Sequence, residues 1–104
     1  MPNMPERGSS EWIRNESSFI AHEAILIIDD AIATKSSWSD LSSIRGSIDP
    51  NYKQIDVEYV RGAIVHHTAE SLGIPEDYCM VLIDYGRDYD YNRDYFNFEI
   101  IIVA

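Results

Sequence analysis

The feature that most constrains this chain is a helix whose two ends are both written into the sequence. Asp56 reads as an N-cap, because its short carboxylate can accept a hydrogen bond from an otherwise unpaired N–H of the first turn. Gly73 can take the left-handed position just past the last turn, and Pro75 cannot continue a helix. Between them Val57, Val60, Ile64, Val65, Thr68 and Leu72 recur at helical spacing and form one apolar stripe, with Arg61 along its margin. Arg61 is expected to lay its stem along that stripe or to pair with a carboxylate.

After Pro75 the period of the pattern changes. Cys79 to Ile83 is a short apolar run with no helical polarity, and Phe96, Phe98, Ile100 and Ile102 alternate with Tyr95, Asn97 and Glu99. Two strands pairing as an antiparallel hairpin are expected. The segment between them, Tyr85 to Asp94, is too long and polar for a tight turn and would extend the hairpin as a two-stranded ribbon. Upstream, Ile20, Ala24, Ile27, Ile28, Ala31 and Ile32 share one broad arc at about 100° per residue, which predicts a helix from about Glu16 to Thr34. Ser37-Trp38-Ser39-Asp40 resembles a capping box, and Trp38, Leu41 and Ile44 at three-residue spacing predict a short helical turn ending at Gly46. Asp49-Pro50-Asn51-Tyr52 reads as a turn.

The expected fold class is therefore α+β, with two main helices packed on an antiparallel β-hairpin or small sheet. Ile20, Ile27, Val60, Ile64, Val81, Phe98 and Ile100 should be buried. Residues 1–15, with Pro2, Pro5 and Gly8 and little apolar periodicity, read as a flexible arm, and residues 16–104 as one domain. A chain of 104 residues with 45% apolar content supports a single modest core.

Charge narrows the function classes. Eight Lys and Arg against 18 Asp and Glu give a formal net charge of −10, which disfavours direct binding to nucleic acid or an anionic membrane and favours a basic partner. The single cysteine, Cys79, excludes an internal disulfide, and no apolar run is long enough to span a bilayer, so a cytoplasmic protein is expected.

The residues singled out for partner binding lie mainly between Asp84 and Glu99. If the segment is extended, Asp88, Asp90, Asn92 and Asp94 share one face, with Tyr89, Tyr91 and Tyr95 on the other and same-face carboxylates about 6.6 to 6.8 Å apart. Such an acid comb backed by aromatic anchors, with Asp84 at its base, suits a groove built to hold phosphates. A second contact face is expected on the first helix, where Phe19 and Leu26 stand among His22, Glu23, Asp29 and Asp30, with Glu23, Leu26 and Asp30 as its named contacts.

Chemistry-bearing patterns fall short. Asp88, Asp90, Asn92, Asp94 and Glu99 have the spacing of calcium-loop ligands, yet Arg93 stands where the turn needs glycine, and the flanks read as strands. His22-Glu23 opens like a zinc-protease helix, but Leu26 holds the second histidine position. His66 and His67 diverge on a helix, although His66 and Glu70 share a face. Cys79 follows Glu76 and Asp77, which should raise its pKa. No catalytic residue, metal ligand or cofactor is assigned, and an enzyme is not expected.

Leu72-Gly73-Ile74-Pro75-Glu76-Asp77 with the apolar strand after it is similar to the helix, turn and strand of the tautomerase superfamily, within residues 57–85. That resemblance implies an enzyme using an N-terminal proline, here Pro2, as base, and implies an N-terminal strand with a repeated strand-helix-strand unit. Pro2 instead precedes a polar stretch, and the first half reads as two helical segments. The leading expectation is a non-catalytic inhibitor covering a basic, nucleic-acid-binding surface of a protein. Phage-encoded anti-defence proteins such as anti-CRISPR proteins, DNA mimics and nuclease-immunity proteins share this physical type by composition. The alternatives are an assembly subunit, such as a homodimer joined through its apolar strands, and a tautomerase-like enzyme.

Overall fold

The computed structural model describes residues 9–34, 43–49 and 55–103. Helix α1 (Ser10–Thr34) is followed by strand β1 (Ser43–Ile48), helix α2 (Val57–Leu72), a 3-10 turn (Glu76–Tyr78) and strands β2 (Cys79–Asp88) and β3 (Arg93–Ile102). The strands form one antiparallel sheet in the order β1-β3-β2. Both helices contribute to a single core with one face of that sheet, so the fold is α+β, as expected.

The ends of α2 are set as the sequence predicts. The Asp56 carboxylate accepts from the Tyr59 N–H at 3.1 Å, and Gly73 closes the helix at φ 68°. That backbone conformation costs a side-chain-bearing residue free energy, whereas glycine adopts it freely. Arg61 both pairs with Glu58 at 3.4 Å and donates to the Val81 carbonyl, tying α2 to β2.

Helix α1 begins earlier than its apolar arc predicts. Residues 10–15, which the sequence pattern assigns to the arm, are helical, because the Ser9 hydroxyl caps the first turn, accepting from the Trp12 N–H at 3.2 Å. Residues 1–8, including Pro2, lie outside the described residues. A small polar residue also does what the hydrophobic pattern cannot show. The fully buried Ser17 hydroxyl donates to the Ile13 carbonyl at 2.6 Å and accepts from the Asp56 N–H at 2.8 Å, joining α1 to the start of α2.

Residues 43–48 also depart from the sequence pattern. The three-residue spacing predicts a short helical turn ending at Gly46, yet Ser43 to Ile48 form a strand paired with β3, with Ile44 opposite Ile100, Gly46 opposite Phe98 and Ile48 opposite Phe96. The expected capping box at 37–40 and the turn at 50–52 lie outside the described residues. Gly46 permits a close approach: a Cβ there would fall 2.5 Å from two atoms of the Phe98 ring and 3.0 Å from Ile27 Cγ2. The Phe98 ring fills the space above Gly46, so the missing side chain is part of the packing.

Ile20, Val60, Ile64, Val81, Phe98 and Ile100 are buried as expected, and Ile27 is half-buried against them. Ile44, Ile48 and Phe96 complete the layer between sheet and helices.

Candidate partner-binding surface

Side chains alternate across a strand, so a sheet covered by helices on one face presents every second residue on the other. Here the open face carries Ser43, Arg45 and Ser47 from β1, Tyr95, Asn97, Glu99 and Ile101 from β3, and Met80, Leu82 and Asp84 from β2. The register sets them in rows: Ser43, Ile101 and Met80; then Arg45, Glu99 and Leu82; then Ser47, Asn97 and Asp84. Met80 and Leu82 are each 49% exposed and give one end of the face an apolar character.

The middle of the face is a polar network. Arg45 Nε donates to Glu99 Oε2 at 2.5 Å, the Ser43 hydroxyl donates to the same oxygen at 3.0 Å, and the Ser47 hydroxyl donates to Asn97 Oδ1. These bonds favour the ionised form, so the Glu99 carboxyl is held below the usual carboxylate range, mainly by Arg45 and then by Ser43. At the other end of the face lies a shallow depression bordered by Asp49, Asp84, Asp88 and Asp90, with Tyr89 and Tyr95, and by the cations Arg87 and Arg93, the latter opposite Asp88 in the ladder. Tyr95 lies across Gly86, its hydroxyl 3.2 Å from where a Cβ would stand.

The expected acid comb is not formed. Strand pairing stops at Asp88 and resumes at Arg93, so residues 89–92 make a turn and the alternation that would align Asp88, Asp90, Asn92 and Asp94 is broken. Local polar chemistry drives this. Asp88 Oδ1 accepts from the N–H groups of Asp90 at 3.0 Å and Tyr91 at 3.4 Å, and Asn92 takes a left-handed φ of 51°. Asp94 is diverted from any surface row. Its side chain is 12% exposed and pairs with Arg87 at 3.2 Å, and Arg87 also reaches Asn92 Oδ1 at 2.5 Å. The result is a turn that carries Tyr89 and Tyr91 at its tip, 79% and 75% exposed.

The second expected contact face lies elsewhere. Leu26, 50% exposed, and Asp30 sit on α1 with Phe19, on the arc opposite the buried Ile20, Ala24 and Ile28. Glu23 is half-buried at the edge of that arc. This patch is on the outer side of the helix layer and the acidic depression is on the open side of the sheet, so one flat partner surface cannot cover both.

Among the described residues, no group of three or more His, Cys, Asp or Glu is placed to hold a metal ion. Glu99 lies mid-sheet, bonded to Arg45, away from the turn that bears Asp88 and Asp90. His66 pairs with Glu70 at 3.0 Å, and His67 reaches Asp29 on α1 at 2.6 Å, linking the helices. Burial, reinforced by Glu76, pushes the Cys79 thiol pKa up, away from nucleophilic reactivity. No protein-family model matches the chain, and neither curated proteins nor solved structures give a match. No helix among the described residues is long and apolar enough to cross a membrane.

Sequence reasoning misses the strand β1, and with it Arg45, Ser47 and Asp49 as parts of the face. The alternation of Ile44 and Ile48 with Arg45 and Ser47 is the available signal, masked by a glycine that reads equally as a helix stop.

Proposed function

We propose that this protein is a non-catalytic binding protein that inhibits or sequesters a basic, nucleic-acid-binding partner by covering its cationic surface. The observation that carries this reading is the acidic end of the open sheet face, where Asp49, Asp84, Asp88 and Asp90 outnumber Arg87 and Arg93 around a depression that also holds Tyr89 and Tyr95, next to the exposed Tyr91. Carboxylates at a rim steer a cationic partner into place, and tyrosines supply amphipathic contact area at small entropy cost. The net charge of −10 extends the same attraction over the whole molecule.

Immobilised protein should retain basic nucleic-acid-binding proteins from a cell extract, and double-stranded DNA should displace them. The variant carrying Asp84→Asn, Asp88→Asn and Asp90→Asn should retain far less at low salt. Equal retention by the variant, or indifference to DNA, would rule the reading out. A second reading, an assembly subunit, draws on the exposed Met80 and Leu82 at the apolar end of the face. A solution mass of one chain across micromolar concentrations would eliminate it.

A further inference from the structure

The edge of β2 offers more than charge. In an antiparallel ladder, residues alternate between those bonded to the neighbouring strand and those whose N–H and C=O point away. The Val103 N–H donates to the Tyr78 carbonyl at 2.8 Å, which sets the phase. Met80, Leu82, Asp84 and Gly86 therefore bond toward β3, while Cys79, Val81, Ile83, Tyr85 and Arg87 direct their backbone groups outward. Arg61 verifies the phase independently, since it donates to the Val81 carbonyl from α2.

That contact closes the edge at Val81, and the Cys79 N–H is taken by the Glu76 carbonyl. From Ile83 to Arg87 the outward groups meet no partner among the described residues. An open edge of this kind is a template for an added strand. Its flank carries more acid than base: Asp84 and Asp88 stand on β2 with Asp90 in the turn beyond, against Arg93 on the neighbouring strand opposite Asp88, while the Arg87 guanidinium is engaged by Asp94 and Asn92. The opposite edge, β1, is shorter, and the exposed Arg45 stands on it.

We propose that the partner contributes an extended cationic segment that adds to the β2 edge along residues 83–87 as a fourth strand. Lys or Arg four positions apart on the added strand would lie beside Asp84 and Asp88, which stand about 13 Å apart on either side of Gly86. This rests on the basic-partner reading above and names its mode of recognition. A second copy of the chain fits the edge poorly. Two β2 strands paired edge to edge would bring the Asp84 and Asp88 side chains of both copies along one seam, each chain already carrying a net charge of −10.

The probe is a displayed library of random linear peptides, selected on the full chain, with affinities then measured for synthetic versions of the selected sequences. The enriched peptides should carry Lys or Arg at positions four apart, on one face of the strand. Methylating the backbone nitrogens that face β2 should weaken binding about tenfold or more, and methylating the alternate set should have little effect. Tyr85→Pro, which removes an outward N–H and no ladder bond, should weaken binding about tenfold beyond Tyr85→Ala. Peptide methylation leaves the protein unaltered, so the test stands even if the proline variant does not fold. Basic peptides insensitive to methylation would overturn the strand mode while leaving the basic-partner reading intact. Non-basic peptides sensitive to alternate methylation would instead show an edge that binds without charge, overturning the cationic occupant and undercutting the basic partner. No enrichment, or a dimer lost on Tyr85→Pro, would also overturn the proposal.

Discussion

Replacing Gly46 by alanine adds one methyl group to a place the structure has already filled. The new Cβ would lie 2.5 Å from Cε1 and Cζ of Phe98 and 3.0 Å from Cγ2 of Ile27, against an ordinary carbon contact of about 3.5 to 4.0 Å. The Phe98 ring is 3% exposed on the central strand and cannot swing into solvent, so the sheet and α1 must separate or the ring must leave its rotamer. Overpacking of this kind costs about 1 to 3 kcal/mol, while the loss of glycine's freedom in the unfolded chain returns about 0.4 to 1 kcal/mol. The net destabilisation should be about 1 to 2 kcal/mol, which lowers Tm by about 5 to 15 °C in a domain of this size. Thermal and urea unfolding followed by circular dichroism would measure it. Two controls make the reasoning sharp. Gly62→Ala, where a Cβ meets nothing within 4 Å on an exposed position of α2, should stabilise by about 0.5 to 1 kcal/mol. Phe98→Leu, which removes the ring atoms in conflict, should make Gly46→Ala cost at least about 0.5 kcal/mol less than in the parent. A neutral Gly46→Ala, or strict additivity with Phe98→Leu, would refute the close-approach argument.

Other consequences are equally specific. The Thr68 hydroxyl is buried in α2 with no hydrogen-bond partner among the described residues, so Thr68→Val should stabilise by about 1 kcal/mol in urea unfolding; a destabilised variant would point to an interaction of that hydroxyl. Because the folded Glu99 carboxyl titrates below its ordinary value, its contribution to stability is fully present above the unfolded carboxylate pKa and is lost as pH falls through the folded one. Tm should therefore drop less steeply on acidification in Glu99→Gln than in the parent, and parallel acid profiles would contradict the Arg45 pairing. Alkylation of Cys79 by iodoacetamide at about pH 8 should be slow and should quicken in Glu76→Gln, with unchanged rates excluding the charge contribution of Glu76.

The composition of α2 carries its own boundaries. Asp56, Gly73 and Pro75 act through the chain a few residues away, so a local reading suffices, and the same holds for the alternation from Phe96 to Ile102. The apolar arc of α1 is legible for the same reason, although its first turns depend on the Ser9 cap and on Ser17, whose burial reflects α2 lying beside it. For the candidate site, the sequence pattern singles out Asp84, Asp88, Asp90, Tyr89, Tyr91 and Tyr95, which do gather at one end of the sheet. It also singles out Asp94, which the ribbon uses for Arg87, and Glu23, Leu26 and Asp30, which lie on the outer side of the helix layer.

Tertiary structure decided the rest. β1 is low in strand-forming side chains, and it becomes a strand because β3 offers an unpaired edge and Phe98 needs a residue without a side chain opposite it. Its arrival turns a hairpin into a sheet with one open face, brings Arg45 and Ser47 beside Glu99 and Asn97, and leaves β2 as an edge that is open from Ile83 to Arg87 among the described residues. Sequence by itself determined which segments have a face to bury, since periodicity and capping are properties of neighbours along the chain. Which face stays open, and which strands become the edges of the sheet, depends on contacts between residues some 50 positions apart, such as Ser47 and Asn97, and these exist only once the layers have packed.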